Sequence, residues 1–326
     1  MTDATFHGPL GMGGAPLGNL ADFVPEANIA PTFAAAWEAD IRHYDTAPHY
    51  GAGLSERRFG DHLRHRPRDA FTLSTKVGRL LEPADDIPEM ADNFRVGLPF
   101  RRRLDVTAAG ARRSIEDSLQ RMGLTRIDIV YIHDISEDWL GPGWKATFAE
   151  ALKGAAVALS ELRRQGVIRA WGFGVNLVDP CIAALEQSDP DIFLVAGRYT
   201  LLDHIALDKL LPLCAQKGAK VVIGGPYNSG ILAGGDTYNY ERAPADLLAR
   251  AKALRETCKR HGVDLKAAAL QFCAAHPVVA AVIPGPRSPA EVTENARMMA
   301  APIPGALWAE LKQTGLIPAH APTPAG

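Results

Sequence analysis

The stretch Ile41-Arg42-His43-Tyr44-Asp45-Thr46-Ala47-Pro48-His49-Tyr50-Gly51 decides how the rest of the chain is read. Its short apolar run, Ile41 to Tyr44, brings an aspartate to what reads as the end of a strand. A proline-containing turn then presents Tyr50, and Leu54 to Leu63 reads as a helix. An Asp–Tyr pair alone carries little information. The next strand-like run, Phe71-Thr72-Leu73-Ser74-Thr75-Lys76, ends on a lysine. The one after, Asp128-Ile129-Val130-Tyr131-Ile132-His133, ends on a histidine. Asp45, Tyr50, Lys76 and His133 therefore stand together at three successive strand ends.

Strand-like and helix-like stretches alternate outward from this segment. The runs Val167 to Phe173, Ile192 to Ala196, Lys220 to Ile223 and Val278 to Ile283 show no polar–apolar alternation, the pattern of parallel strands covered on both faces. With the three runs above and a first strand near Leu10 to Ala15, the count reaches eight. Eight such units favour a closed (β/α)8 TIM barrel over an open doubly wound sheet, and such barrels carry their active sites at the C-terminal strand ends. Asp45, Lys76 and His133 occupy such ends. Residues 107–122 read as a helix with Ile115, Leu119 and Met122 on one face and Gly123 as its stop, and 148–165 read as another. Asp179-Pro180 and Ser288-Pro289 each pair a capping residue with proline at the first helical position.

Residues 78–106 break the alternation, with Pro83, Pro88, Pro99, an acidic pair and Arg101-Arg102-Arg103. They read either as a lid over the site or as a solvated excursion. The three arginines read either as a charged face or as a phosphate contact. A last helix, Gly305 to Gly315, leads into a tail, 320–326, expected to be disordered. With no repeat and no linker, residues 1–326 are expected to form a single domain.

Composition narrows the function. The chain has 326 residues and a net charge of −2, so no basic field invites nucleic acid or anionic lipid. No apolar run approaches the roughly 20 residues of a membrane helix. The first residues lack the basic and apolar regions of a signal peptide. Cys181, Cys214, Cys258 and Cys273 are scattered without metal spacing and read as reduced, buried thiols. The acidic residues after His133 lack a second histidine in register, so no metal is expected. The glycines of 8–20 miss G-x-G-x-x-G and no amphipathic helix follows them directly, which argues against a Rossmann site. A soluble cytoplasmic protein that meets a small molecule, without nucleic acid or membrane, is expected.

The four residues also suggest a chemistry. A free tyrosine, with a pKa of about 10, is a poor base at neutral pH. An ammonium a few ångströms away favours the phenolate. Lys76 is the candidate ammonium, Asp45 fixes it and keeps it charged, and His133 orients a substrate oxygen beside Tyr50. Such a set moves a proton between Tyr50 and that oxygen. No side chain accepts a hydride, so the chemistry requires a nicotinamide.

Four motifs, in this order, resemble the signatures of the aldo-keto reductases: Asp45-Thr46-Ala47-x-x-Tyr50-Gly51, Ser74-Thr75-Lys76, Ile129-Val130-Tyr131-Ile132-His133, and Ile283-Pro284-Gly285 leading to Glu294-Asn295. The resemblance runs over nearly the whole chain. Gly197-Arg198-Tyr199-Thr200-Leu201-Leu202-Asp203 and the His133-Asp134 pair look most like the family's NAD-dependent sugar (lactol) dehydrogenase branch, such as D-threo-aldose and L-fucose dehydrogenases. The resemblance implies a catalytic tetrad of Asp45, Tyr50, Lys76 and His133. It implies cofactor contacts from Gly14, Asp45, Asn176 at the nicotinamide amide, the loop Tyr227-Asn228-Ser229-Gly230, Gly285, Arg287 and Glu291. Glu294 and Asn295 would hold the adenine end. Asp134, with Tyr50 and His133, would face the substrate; from their place in the loop, Trp139 and Trp144 either line the substrate mouth or anchor that loop. The aromatic that commonly stacks on the nicotinamide is replaced by Gly224; Tyr227 either substitutes for it or packs in its loop. The glutamine often found on strand six appears as Ala196, and the family's link at 78–106 is usually shorter.

Cofactor choice follows from two positions. NADPH-preferring relatives usually present Lys at the Gly285 position and Arg at the Glu291 position, both cations for the 2′-phosphate. Here one is absent and the other is a carboxylate, which suits a ribose hydroxyl. Ser288-x-x-Glu291 is also a capping box, and Arg287 is the one nearby cation able to turn toward a phosphate. NAD is thus expected ahead of NADP, and with it oxidation of the anomeric hydroxyl of a cyclic aldose to a lactone. A pyridoxal 4-dehydrogenase and an NADPH-dependent carbonyl reductase are alternatives on the same fold. Further away stand a lyase using Lys76 as a Schiff-base amine and a non-catalytic module that binds nicotinamide as a redox sensor.

Overall fold

The structure, a computed structural model, describes residues 6–325. Eight parallel strands lie in sequential order in one sheet: β1 (Met12–Gly13), β2 (His43–Asp45), β3 (Thr72–Val77), β4 (Ile129–His133), β5 (Ala170–Val175), β6 (Ile192–Ala196), β7 (Lys220–Gly224) and β8 (Val279–Ile283). Leu10 bridges Val282, and the Gly13 amide donates to the Pro284 carbonyl at 2.9 Å. β8 thereby returns to β1, and the sheet closes into the expected barrel. Ile129, Tyr131, Ala170, Ile192, Leu194, Val222 and Ile283 fill its interior. The intervening Val130, Ile132, Trp171, Phe193 and Val221 join the larger core beneath the helices. Every residue of β2 to β5 is buried, which removes the polar–apolar alternation of a half-exposed sheet. Among the described residues, no helix is long and apolar enough to cross a membrane.

The helix expected at 107–122 forms at Ala108–Met122. The Thr107 hydroxyl accepts from the Gly110 amide at 3.0 Å, and Gly123 ends the helix at φ 61°. Losing such a cap costs about 1 kcal/mol. This helix packs against Leu54–Leu63, where Gly60 permits the approach: a Cβ there would lie 2.3 Å from the Met122 carbonyl oxygen. Glu56, wholly buried, joins both helices to β3. It accepts from Thr75 Oγ1 at 2.7 Å and from Arg121 Nε at 2.6 Å.

Several expectations shift. The helix read at 148–165 is two helices, Trp144–Lys153 and Ala155–Arg164. They break at Gly154, where a Cβ would lie 2.5 Å from the Val106 carbonyl. β5 begins at Ala170 instead of Val167, because the amides of Val167 and Ile168 close the preceding helix on the Leu162 carbonyl. Its end moves on to Val175. Val178, and not Asp179, occupies the cap position of the next helix. The tail is also corrected: Ala321 is buried with Ile317 in the main core, and its amide donates to Pro318 at 3.0 Å. A small apolar residue there fits against the barrel, and Pro322 to Pro324 are half-buried beside it while His320 and Ala325 are exposed; Gly326 lies outside the described residues.

The excursion 78–106 is a hairpin within a hairpin: Arg79–Pro83 pairs with Phe100–Leu104, and Met90–Ala91 pairs with Phe94–Arg95. Leu20 bridges Phe94, and the Leu98 amide donates to Gly51 at 2.9 Å. These bonds fasten it to the exit of β1 and to the turn that carries Tyr50. Its arginines are paired within the excursion and its footing: Arg101 with Asp86 (2.7 Å), Arg103 with Glu82 (2.5 Å), and Arg102 with Asp92 (3.3 Å).

Candidate active site

The turn after β2 is held from several sides. The Thr46 amide donates to the Ser74 carbonyl at 3.0 Å, Thr46 Oγ1 and Ser55 Oγ share a hydrogen bond of 2.8 Å, and Ser55 donates to the Gly14 carbonyl at 2.8 Å. Gly18 and Gly51 let the β1 exit lie directly on the turn; a Cβ on Gly51, which sits at φ +62°, would lie 2.5 Å from the Gly18 carbonyl. Tyr50 is thereby aimed over the barrel mouth. Phe94 stacks on it at 5.7 Å between ring centroids.

Lys76 and Asp45 form a buried pair at 2.7 Å, 1 % and 2 % exposed. Ser74 Oγ also donates to Asp45, at 2.7 Å, and Lys76 donates to the Thr46 carbonyl at 2.9 Å. Burial pushes the Asp45 carboxyl up, opposed by the ammonium and the hydroxyl. The Lys76 nitrogen lies 4.7 Å from the centre of the Tyr50 ring, against its face. Here the structure corrects the sequence reading. The phenol is not made acidic: burial, then Asp45 and Asp134, push it well above its ordinary value. Burial dominates because the phenolate loses the hydration that water would give it, and Arg79 opposes this only in part.

His133 completes the group, its ring 5.6 Å from that of Tyr50. Burial, Lys76, Arg79 and His49 hold its imidazole well below the ordinary range, so it is neutral at pH 7. Its Nε2 lies 3.3 Å from Asp134 Oδ2. Burial is the main reason that Asp134 is pushed up to about 7, against the pull of Arg79. Arg79, from the excursion, donates to the His133 carbonyl at 2.7 Å and lies over the Trp139 ring.

Tyr50, Lys76, His133, Asp134, Trp139 and Asn176 line one cavity at the C-terminal ends of the strands. The Asn176 amide donates to Asp138 at 3.0 Å. Sequence reasoning missed His49, Phe94 and Tyr240, which line the same cavity, and Arg79 behind it. His49 carried a signal, since it stands beside Tyr50 in the quoted stretch. Arg79, Phe94 and Tyr240 carried none, because long excursions bring them in.

The remaining expected cofactor residues follow β7, β8 and β1, the next arc of the rim. Tyr227 donates to Asn295 Oδ1 at 2.7 Å, linking the loop after β7 to the helix after β8. Tyr227 packs against the core, and it does not line the cavity. Asn228 Nδ2 donates to the Gly197 carbonyl at 3.1 Å, while its buried Oδ1 has no partner among the described residues. Ser229 and Gly230 take left-handed conformations, at φ 58° and 111°. Gly285 and Gly14 are close-approach positions, where a Cβ would lie 2.7 Å from Pro16 and 2.6 Å from the Asp45 carbonyl respectively. Glu294 pairs with Lys266. The Ser288 capping box forms by half: Ser288 accepts from the Glu291 amide at 3.3 Å, but Glu291 turns to Arg287, accepting its amide at 2.7 Å and pairing its guanidinium at 3.2 Å.

Between the arcs, Gly174, Ala196 and Gly224 stand at the ends of β5, β6 and β7, with Val175 closing β5 after Gly174. Ala196 and Gly224 are paired in register, and Gly174 and Ala196 line the cavity. This bed without long side chains, beside the unpaired Asn228 Oδ1, fits a flat, hydrogen-bonding ring such as nicotinamide.

A model of the aldo/keto reductase family matches residues 9–315. The chain is 41% identical over 318 residues to a D-threo-aldose 1-dehydrogenase of Pseudomonas sp, covering 95% of this chain and 94% of that one. It is 38% identical over 322 residues to a pyridoxal 4-dehydrogenase of Microbacterium luteolum, covering 94% of each. Among solved structures, an aldo-keto reductase of Bacillus halodurans in its holo form matches with a TM-score of 0.72 at 25% identity, over 96% of this chain and 93% of that one.

Proposed function

The chain belongs to the aldo/keto reductase family, and from that premise we propose that it oxidises the anomeric hydroxyl of a cyclic aldose to a lactone, with NAD as the acceptor. It is a nicotinamide-dependent oxidoreductase; the nicotinamide, when bound, accepts the hydride that no side chain can take. One observation carries the reading. Tyr50, the Lys76–Asp45 pair and His133 converge on a single cavity beside strand ends bare of long side chains.

Tyr50 exchanges the proton with the substrate oxygen, and neutral His133 shares that oxygen's second hydrogen bond. Asp45 and the Thr46 carbonyl hold Lys76 beneath the phenol. Because burial keeps Tyr50 protonated at neutral pH, it stands ready to donate to a carbonyl. Accepting a proton requires the phenolate, so oxidation speeds up as pH rises. The ammonium against the ring face favours that phenolate. Asn176, Gly14, the loop Tyr227–Gly230, Gly285, Glu294 and Asn295 would hold the cofactor along the rim.

The choice of NAD rests on Arg287. Its guanidinium pairs with Glu291 and lies 3.7 Å from Asp22, so a 2′-phosphate there would meet two carboxylates. Borohydride-trappable Schiff-base chemistry is disfavoured, since Lys76 is held by Asp45 and Thr46. The four cysteines, free and buried, suit the reducing cytoplasm. The aldose is supported by the D-threo-aldose 1-dehydrogenase relative. Pyridoxal, also a cyclic hemiacetal, is the second reading, because Phe94, Trp139 and Tyr240 give the cavity aromatic walls. Initial rates with NAD and NADP side by side, over free sugars and pyridoxal, test this. The fastest turnover is expected with an aldose and NAD. Activity confined to NADPH and a simple aldehyde contradicts the proposal, and pyridoxal outrunning every aldose selects the second reading.

A further inference from the structure

His49 is 2 % exposed, lines the cavity, and has no hydrogen-bond partner on either ring nitrogen among the described residues. Buried polar groups are nearly always paired, so such a group at the wall of a site marks where a ligand supplies the partner. The other histidine without a partner on either ring nitrogen among the described residues shows the contrast. His43, inside β2, also lacks partners, but it packs edge-on against Phe6 at 5.0 Å and lines no cavity. His49 instead completes a triangle of rings: 6.5 Å to Tyr50 and 5.5 Å to His133, with Tyr50 and His133 5.6 Å apart. An oxygen held between Tyr50 and His133 therefore puts the substituent on the neighbouring carbon within reach of His49.

We propose that His49 determines substrate specificity: its imidazole hydrogen-bonds the hydroxyl on the carbon next to the reacting one, selecting hydroxylated substrates over their deoxy analogues. The inference rests on the reading of the site as one for a cyclic aldose, and names the group by which that substrate is recognised. The chemistry matches. Burial, then the charges of Arg79 and Arg102, hold the ring neutral at pH 7. A neutral imidazole has one N–H and one lone pair, and a hydroxyl both accepts and donates. The ring is also held in place. Its backbone carbonyl accepts from Arg102 Nε at 3.0 Å, and Phe94 and Trp139 stand edge-on to it at 5.3 and 5.2 Å.

The test uses substrate pairs that differ by that one hydroxyl. An aldose and its 2-deoxy analogue are oxidised with NAD; glyceraldehyde and 3-hydroxypropanal are reduced with NADH and with NADPH. In His49→Phe the wild-type preference for the hydroxylated member, measured as a ratio of kcat/KM values, falls about tenfold or more. His49→Asn, which keeps a donor and an acceptor, restores most of it. Thermal melting and NAD affinity show that the variants are folded, and His49→Leu replaces His49→Phe if the larger ring does not fit. A loss shared equally by both members of each pair, or a preference that survives His49→Phe, overturns the proposal. If the wild type oxidises no aldose, the aldose reading fails on its own, and the reduced pair then decides about His49.

Discussion

Two arcs of one barrel rim are built differently. On β2 to β4 the charges are buried and anchored to backbone: Lys76 and Asp45 are 1 % and 2 % exposed, and Lys76 also donates to the Thr46 carbonyl. On β8 and the helix after it the charges are part-exposed and are held largely by one another. Arg287 is 53 % exposed against Glu291 at 36 %, and Glu294 is 35 % exposed against Lys266. Proton transfer needs atoms held within fractions of an ångström, whereas a cofactor must enter and leave on every turnover. Substitutions on the first arc should therefore cost rate, and those on the second should change cofactor choice.

The largest effect belongs to the first arc. Tyr50→Phe should lower kcat/KM by about 10²–10⁴-fold, the range of general acid–base catalysis, while titration by fluorescence shows NAD affinity little changed. A parallel loss of NAD affinity would erase the distinction between the arcs. Next comes the frame behind that arc. Glu56→Ala leaves Arg121 without its buried partner and should destabilise the fold by about 3–5 kcal/mol in urea melts. A loss below about 1 kcal/mol would mean that the pair behaves like a surface ion pair.

These two cases also show what the sequence disclosed. Asp45, Tyr50, Lys76 and His133 were legible because each ends a strand or follows its end, and strand ends of a barrel converge whatever the loops do. Even so, the sign of the effect on Tyr50 was misread, since residue order does not say that the phenol would be desolvated close to the carboxylates of Asp45 and Asp134. Gly154 hid its helix break for a similar reason: the obstacle is the Val106 backbone, some 50 residues earlier in the chain. Phe94 and Tyr240 reach the cavity, and Arg79 stands behind it, from hairpins whose register depends on pairing, which no local pattern in their sequence announces.

On the second arc, Glu291→Arg should raise the NADP-to-NAD ratio of kcat/KM by about tenfold, or roughly 1.4 kcal/mol. It removes a repelling carboxylate, adds a cation and frees Arg287. Steady-state kinetics with both cofactors decide it, and an unchanged ratio would place the 2′ position elsewhere. The smallest expected effect returns to the first arc. Asp134, pushed up to about 7, is protonated below neutrality and ionised above it. As pH rises through 7 the carboxylate comes to orient His133, so KM for the substrate should fall by less than about tenfold. The step should vanish in Asp134→Asn.

Single-turnover mixing of the NAD-loaded protein with an aldose, followed by the absorbance of reduced nicotinamide as pH is raised, goes to the centre. The raised Tyr50 phenol requires a rate of oxidation that climbs with pH through and beyond neutrality, and Tyr50→Phe should abolish that climb. A flat profile in the wild type, or the same climb in Tyr50→Phe, would show that the proton leaves by another group.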